Sequence, residues 1–154
     1  MNFETSRAKA LDKLDNFIEN NLSEYSKLRN FDFGPKNRSN TSCLSPYITH
    51  GIIKEKEIIQ KSLNKFSFSK NEKFIQEVLW RTYWKGWLEL RPNVWNDYLI
   101  ELNNMREDFN NNQNYLNAIE GKTKIECFDQ WINELKENNY LHNHTRMWFA
   151  SIWI

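Results

Sequence analysis

Apolar residues recur at helical spacing along most of the chain, and they predict where its helices lie. The first such set predicts an amphipathic helix over the first twenty-odd residues. It consists of Leu11, Leu14, Phe17, Ile18 and Leu22. No segment shows the sustained alternation of apolar and polar residues that is typical of a β-strand. The pattern therefore predicts an all-α fold.

Turn-forming residues and capping signals divide the rest of the chain into further helices. A loop is expected at residues 30–40, and Ser45 followed by Pro46 predicts the N-cap and first turn of a short helix that ends near Gly51. A longer helix is predicted from about Ser69 to Pro92. The other predicted helices are Lys54–Phe66, Trp95–Arg106, Tyr115–Glu120, Cys127–Asn138 and Asn143–Ile154.

Composition narrows the class of protein. The chain has 154 residues, 40% of them hydrophobic, which fits a single helical domain over residues 1–154. Its 21 Lys and Arg against 20 Asp and Glu give a net charge of +1, so any contact with a polyanion must be local. No long uninterrupted apolar stretch predicts a signal peptide or a membrane span, and we expect a cytoplasmic location.

The two cysteines, Cys43 and Cys127, have no second Cys or His at a spacing typical of metal ligands. We therefore expect no metal site, and we expect both thiols to be buried.

The long predicted helix carries a carboxylate and a guanidinium among aromatic residues, in the sequence FIQEVLWRTYWKGWLEL. It is apolar on nearly all sides, so we expect it to be buried. It opens with Ser69 and Glu72, which match the S-x-x-E capping pattern. Glu77 and Arg81 stand four residues apart. Two interpretations stay open: the two side chains pair with each other as an ordinary i,i+4 ion pair, or they face a ligand.

The last segment, YLHNHTRMWFASIWI, places two polar side chains and a small residue on one predicted helix face. That face consists of Asn143, Arg146, Met147, Ala150 and Ile154. We expect this face to be buried, and its donors then leave room for a flat polar ligand. The alternative is an ordinary helix start, with His142 or Asn143 as N-cap and Arg146 reaching solvent.

Three hydroxyl residues, Thr41, Ser42 and Ser45, precede or begin the short predicted helix. Hydroxyls and free backbone amides at a helix start favour an anion such as a pyrophosphate. Glycine-rich nucleotide fingerprints are absent from a chain with four Gly, so such a site would depend on hydroxyl groups. The alternative is a Ser/Thr-rich loop that ends in a routine cap.

These segments together resemble the FAD-binding domain of the DNA photolyase and cryptochrome family. TSCLSPYITHG is similar to the family's Thr-Ser-x-Leu-Ser-Pro-Tyr-x-x-x-Gly, and EVLWRTYW is similar to its Glu-Leu-x-Trp-Arg-Glu-Phe. AIEGKT and CFDQWINELKENNYLHNHTRMWFAS are similar to its Gly-x-Thr-Gly segment, its Asp-x-x-Met-Arg-x-Leu helix and its His-Asn-Arg-x-Arg-Met-x-x-Ala-Ser motif. The resemblance runs from about Tyr25 to the last residue and implies a multi-helical flavin-binding fold.

The resemblance also implies FAD as cofactor and a role for each matching residue. Glu77 matches the catalytic carboxylate that hydrogen-bonds the damaged bases. The residues implied to bind the cofactor are Tyr25, Thr41, Ser42, Leu44, Ser45, Phe74, Arg81, Asn143 and Arg146. The hydroxyl-rich turn and the tyrosine match phosphate contacts, and the phenylalanine matches a position near the cofactor. Arg81 matches a contact to cofactor or substrate. Asn143 and Arg146 match side chains beside the isoalloxazine ring.

The implied chemistry is light-driven electron transfer from reduced FAD to a pyrimidine dimer flipped out of damaged DNA, the implied partner. Cys43 and His144 stand where photolyases have Arg, which favours a second reading: a cryptochrome-like photoreceptor or a flavoprotein without repair activity. A third is a flavin-free helical interaction module. Lys124 replaces the second Gly of Gly-x-Thr-Gly.

The family's N-terminal α/β antenna domain and its later flavin-contacting segment have no counterpart in this sequence. MWFASIWI carries no helix stop signal, so we expect a truncated reading frame or a fragment that is incomplete at its C-terminal end. We then expect the chain to be enzymatically active only as part of a longer photolyase-like lyase, and to be inactive by itself. We also expect weak cofactor retention and self-association through exposed apolar surface.

Overall fold

A computed structural model describes residues 3–154 and shows no strand in that range. The helices are α1 Arg7–Asn20, α2 Tyr25–Leu28, α3 Ser45–Thr49, α4 Glu55–Lys65, α5 Phe68–Glu89, α6 Pro92–Phe109, α7 Gln113–Glu120, α8 Glu126–Asn138 and α9 Asn143–Trp153, with a 3-10 turn at Leu22–Glu24. The prediction of an all-α fold is confirmed, and most predicted helix ends lie within a few residues of the observed ones.

Two capping predictions are wrong. The backbone is already helical at Leu44 (φ −90°, ψ −8°), so Leu44 stands at the N-cap and Ser45 is the first residue of α3. α5 begins at Phe68, so Ser69 lies inside the helix instead of capping it. Its hydroxyl contacts that of Ser67 at 3.1 Å.

The chain divides into two compact units at a boundary within α5, the first ending at Lys85 and the second spanning Gly86–Ile154. The single domain expected from the sequence stays a prediction. Within the described residues, no helix is long and apolar enough to cross a membrane. Residues 3–154 also contain no cluster of three or more His, Cys, Asp or Glu side chains that could hold a metal ion.

The core of the first unit is built around the apolar face of α1. Its members are Ala10, Leu14, Phe17, Ile18, Leu22, Leu44, Tyr47, Ile48, Ile53, Ile58, Phe74 and Val78. Two polar contacts join α1 to α4 at the edge of this core. Lys61 binds Asp15 at 2.6 Å, and Arg7 binds Glu57, whose carboxylate also accepts the backbone N–H of Lys54 at 2.9 Å.

The long helix α5 is buried on one side only, which contradicts the expectation that it is buried throughout. Phe74, Ile75 and Val78 lie in the core, whereas Trp80 and Trp84 are about half exposed, at 51% and 52%. The prediction failed because aromatic residues lie on all sides of α5. The apolar pattern of such a helix does not show which side packs against the core and which side is exposed.

The second unit is organised around the turn between α7 and α8. Gly121 ends α7 with φ +72°, and Lys124 has φ +71°. Asp129 holds this turn by accepting three hydrogen bonds, from the backbone and hydroxyl of Thr123 at 2.9 and 2.7 Å and from the Lys124 N–H at 3.1 Å. Phe128 is buried and stacks on Phe149 of α9, with ring centroids 5.0 Å apart.

The cysteine prediction holds for one residue. Cys43 is buried, but Cys127 is exposed in the first turn of α8. The α8 residue that turns inward there is Phe128 instead.

Candidate functional site

The hydroxyl-rich turn lies immediately before and at the start of α3. The Thr41 hydroxyl donates to the carbonyl of Arg38 at 3.5 Å and contacts the Cys43 sulfur at 3.4 Å. Ser42 and Ser45 are half-buried, and their hydroxyls make no hydrogen bond with the described residues. The turn therefore offers two free hydroxyl donors.

Leu44 lies in the same turn, but its side chain is 2% exposed and belongs to the core. It can meet a ligand through its backbone, while its side chain anchors the turn. Cys43 adopts φ +50°, a left-handed conformation that reverses the chain between the hydroxyl groups and α3.

The two charged residues of α5 do not pair with each other, so the i,i+4 interpretation is wrong. Glu77 accepts a hydrogen bond from Arg29, with 2.6 Å between Oε1 and Nη1. Arg81 donates instead to the hydroxyl of Thr49, the last residue of α3. Its Nε is buried and has no hydrogen-bond partner. The charged groups thus connect α5 to the end of α2 and to the end of α3.

Tyr25 and Phe74 lie beside this polar cluster, with their rings edge to face at a centroid distance of 5.3 Å. Both rings also contact Phe17, at 5.8 and 5.3 Å. Burial raises the pKa of the Tyr25 hydroxyl, and the negative charge of Glu77 raises it further. Phe74 is 3% exposed, so its ring supports the cluster from within the core.

Within the first unit, one core therefore brings together most of the residues singled out from the sequence. Leu44, Phe74 and the partly buried Tyr25 share that core, and Glu77 and Arg81 are fixed to segments that flank it.

Asn143 and Arg146 belong to the second unit, in the first turn of α9. Arg146 Nη2 donates to Asn143 Oδ1 at 3.3 Å, and both side chains are exposed. His142 is the N-cap, and its Nδ1 accepts the backbone N–H of His144 at 3.2 Å. The polar helix start expected in the alternative interpretation is therefore observed.

The predicted burial of this face of α9 is wrong within the second unit. Met147 and Ile154 on the same face are 59% and 103% exposed. The helix buries Thr145 and turns Phe149 toward Phe128 instead. Apolar residues occur on two sides of α9, so its amphipathic pattern is weak. The prediction therefore chose the wrong side of the helix as the buried one.

The sequence analysis did not predict the hydrogen-bond partners of Glu77 and Arg81. Arg29 pairs with Glu77 across 48 positions of sequence, and Thr49 pairs with Arg81 across 32. No local spacing signals such long-range contacts. By contrast, Asp129 follows Thr123 by six residues within one turn-helix segment, a spacing that could have suggested its capping role.

The comparisons with known proteins agree with the motifs. A crystal structure of a bacterial class III photolyase from Agrobacterium tumefaciens superposes with a TM-score of 0.73 and 26% identity, over 95% of this chain and 30% of that one. The fold is thus that of a helical photolyase segment. No protein-family model matches the chain.

Curated relatives lead to the same family. A deoxyribodipyrimidine photo-lyase of Vibrio cholerae is 26% identical over 97% of this chain, and one of Agrobacterium fabrum is 30% identical over 94%. Over nearly its whole length the chain is similar to a segment of these photolyases. It spans about a third of the length of these relatives, 31% and 30% respectively.

Proposed function

We propose that this chain contributes part of the FAD-binding domain of a photolyase-type protein that acts on pyrimidine dimers in DNA. The observation that supports this proposal most is the similarity to deoxyribodipyrimidine photo-lyases along 94–97% of the chain. Within this proposal the protein is cytoplasmic and an enzyme, and damaged DNA is its partner.

The free polar groups of the first unit fit the phosphates of FAD. The hydroxyls of Ser42 and Ser45 have no partner among the described residues, and Arg81 keeps a buried Nε without an acceptor. Hydroxyl donors and a guanidinium are the groups that proteins use for phosphate oxygens. In this proposal Thr41, Ser42 and Ser45 hold the phosphates together with the backbone of Leu44.

Further residues in each unit are proposed to contact the flavin. Tyr25 adds a contact beside the phosphates, and the buried Phe74 keeps the adjoining surface apolar. Asn143 and Arg146 provide exposed donors suited to the polar edge of the isoalloxazine ring, where positive charge would stabilise the reduced form. When bound and reduced, FAD would supply the light-excited electron.

Glu77 is proposed to receive the damaged bases. Its Oε1 is engaged by Arg29, whereas Oε2 accepts no hydrogen bond from the described residues. The ion pair holds the carboxylate in place and leaves one oxygen free to accept an N–H donor from a flipped base.

Flavin titration of the 154-residue chain tests the proposal. FAD should bind with quenching of its fluorescence, and the Ser42→Ala/Ser45→Ala variant should bind FAD about tenfold more weakly, because each lost hydroxyl removes about 0.5–1.5 kcal/mol. Riboflavin, which has no phosphate, should bind wild type and variant equally. Ser151→Ala, on α9, is the control because its hydroxyl donates to the backbone carbonyl of Met147.

Absence of saturable FAD binding by the wild-type chain would refute the cofactor assignment. If the double variant lost equal affinity for FAD and for riboflavin, the phosphate role of the serines would be refuted.

A cryptochrome-like flavoprotein without repair activity is the alternative to test against. Cys43, which stands at a position of Arg in photolyases, is 4% exposed and offers no cation to DNA. Blue-light repair of dimer-containing DNA by the flavin-loaded protein, with Glu77→Gln as comparison, separates the two functions.

A further inference from the structure

The loop of residues 30–40 presents two aromatic rings to solvent. Phe31 is 56% exposed and Phe33 is 47% exposed. Their rings are nearly parallel, with 4° between the planes and 6.2 Å between the centroids, an offset-stacked pair. The loop therefore carries a continuous aromatic surface that the first unit does not cover.

This exposure is imposed by a tightly held loop. Asp32, between the two rings, turns inward and accepts from Arg38 at 2.9 Å, with the two side chains 14% and 3% exposed. It also accepts the backbone N–H of Gly34 at 2.8 Å. Asp32 is thus held inward between the two phenylalanines, and both of their rings are left at the surface.

A second anchor fixes the backbone next to Phe31. The Asn40 amide donates to the carbonyls of Phe31 and Leu28, at 2.7 and 2.8 Å, and Asn40 is buried. A surface that is already ordered loses little conformational entropy when a ligand binds to it.

The aromatic pair closely follows in sequence the arginine that binds the proposed base-binding carboxylate. Arg29, which binds Glu77 at 2.6 Å, precedes Phe31 by two residues, so their Cα atoms are at most about 7 Å apart. Residues 27–38 contain four cations, Lys27, Arg29, Lys36 and Arg38, against one acid, Asp32. Lys36 is exposed and forms no ion pair with the described residues.

We propose that Phe31 and Phe33 form a stacking surface for unpaired DNA bases beside the Arg29–Glu77 pair. This inference rests on the proposed function, since DNA must be opened around a flipped dimer. Exposed aromatic rings combined with cations are the means by which proteins bind single strands without reading sequence, because every base has a π-face. The two rings touch each other, so bases stack on the outside of the pair.

The test measures binding of a fluorescein-labelled oligothymidylate to the full chain by anisotropy, in the dark and without flavin. Phe31→Leu/Phe33→Leu keeps apolar side chains but removes both π-faces. It should weaken binding by about 5- to 150-fold for each base that stacks. Phe31→Tyr/Phe33→Tyr keeps the rings and should bind within about twofold of wild type.

Phe68→Leu is the matched control, because Phe68 is 59% exposed at the start of α5 and lies outside the loop. Its affinity should equal that of wild type. Thermal unfolding of all variants should coincide, since the replaced rings are not in the core.

The inference would be overturned by no oligonucleotide binding by wild type, by wild-type affinity in the leucine double variant, or by an equal loss of affinity in Phe68→Leu. A change in sedimentation without a change in DNA affinity would identify the rings as a contact between copies and would also overturn it. Because the measurement contains no flavin, a failure of FAD binding does not affect it, so the two proposals can fail separately.

Discussion

At the scale of single residues, the pairing of Glu77 with Arg29 organises the candidate site. The pair is partly exposed, at 36% and 24%, so its contribution to stability is expected to be modest, about 0–1 kcal/mol. The main effect of the pair is on the position of Glu77, because Arg29 holds its Oε1 in place. The carboxylate then lies near enough for its negative charge to act on the buried hydroxyl of Tyr25.

This arrangement predicts a specific loss of stability at high pH. In the folded chain burial keeps the Tyr25 hydroxyl neutral, whereas in the unfolded chain it ionises near pH 10. The unfolded state therefore releases this proton at lower pH, and the free energy of unfolding falls as the pH rises above about 10. Urea unfolding at pH 9 and pH 11 should show that the free energy of unfolding falls less between these pH values in Tyr25→Phe than in wild type.

The stability that Tyr25 contributes through this effect is fully present below about pH 10. Tyr98→Phe serves as the control, since Tyr98 is 50% exposed on α6, and it should show the wild-type fall. An identical fall in Tyr25→Phe and wild type would contradict the assigned burial effect.

At the scale of secondary-structure elements, the turn between α7 and α8 shows how a departure from the family motif is accommodated. Lys124 stands where the family has a glycine, and it adopts the left-handed conformation that glycine favours. Hydrogen bonds from Thr123 and Lys124 to Asp129 hold that conformation. Desolvation acts to raise the pKa of the Asp129 carboxyl, but these hydrogen bonds outweigh it and the pKa lies below its usual value.

Two glycine-to-alanine substitutions should have opposite effects on stability. Gly121→Ala puts a side chain at φ +72°, with the added carbon 3.2 Å from the Asp129 carbonyl oxygen and from the Ile132 side chain. It should destabilise the chain by roughly 1–2 kcal/mol. Gly86 lies inside α5 with open space around it, so Gly86→Ala should stabilise by about 0.5–1 kcal/mol.

Urea unfolding followed by circular dichroism measures both changes. A neutral Gly121→Ala variant would show that the turn relaxes freely, and a destabilised Gly86→Ala variant would show that α5 is not an ordinary helix at that position.

At the scale of the whole molecule, exposed apolar surface is the dominant feature. In the first unit Trp80, Tyr83 and Trp84 contact one another along α5 and are each more than half exposed. In the second unit Trp95 and Met147 are 61% and 59% exposed. Patches of this kind mark surfaces that bind other protein or ligand.

The 154-residue chain should therefore associate as its concentration rises, and it should bind a hydrophobic dye. Trp80→Gln/Trp84→Gln should reduce both signals without lowering the unfolding temperature, because neither ring is in the core. Sedimentation velocity over a range of concentrations and dye fluorescence are the measurements. Leu63→Gln, which changes a 41% exposed leucine of α4, is the control and should behave as wild type. A monomer at every concentration would contradict this expectation.

The sequence by itself determined the helices, the turns and the resemblance of this protein to photolyases. Helical periodicity, the Pro46 start, the Gly51 stop and the family motifs all depend on residues close together in the chain, and local energetics fix them. It also determined which residues could carry chemistry, because their types and spacing are readable without coordinates.

Only the tertiary structure decided which partners those residues take and which surfaces they occupy. Glu77 could reach Arg81 four residues away, yet it binds Arg29, because packing of α2 against the core brings a distant guanidinium closer to its Oε1. In the same way, α5 and α9 each carry more apolar residues than one face can bury. The contacts of neighbouring helices choose the buried side, and that choice depends on residues far away in sequence.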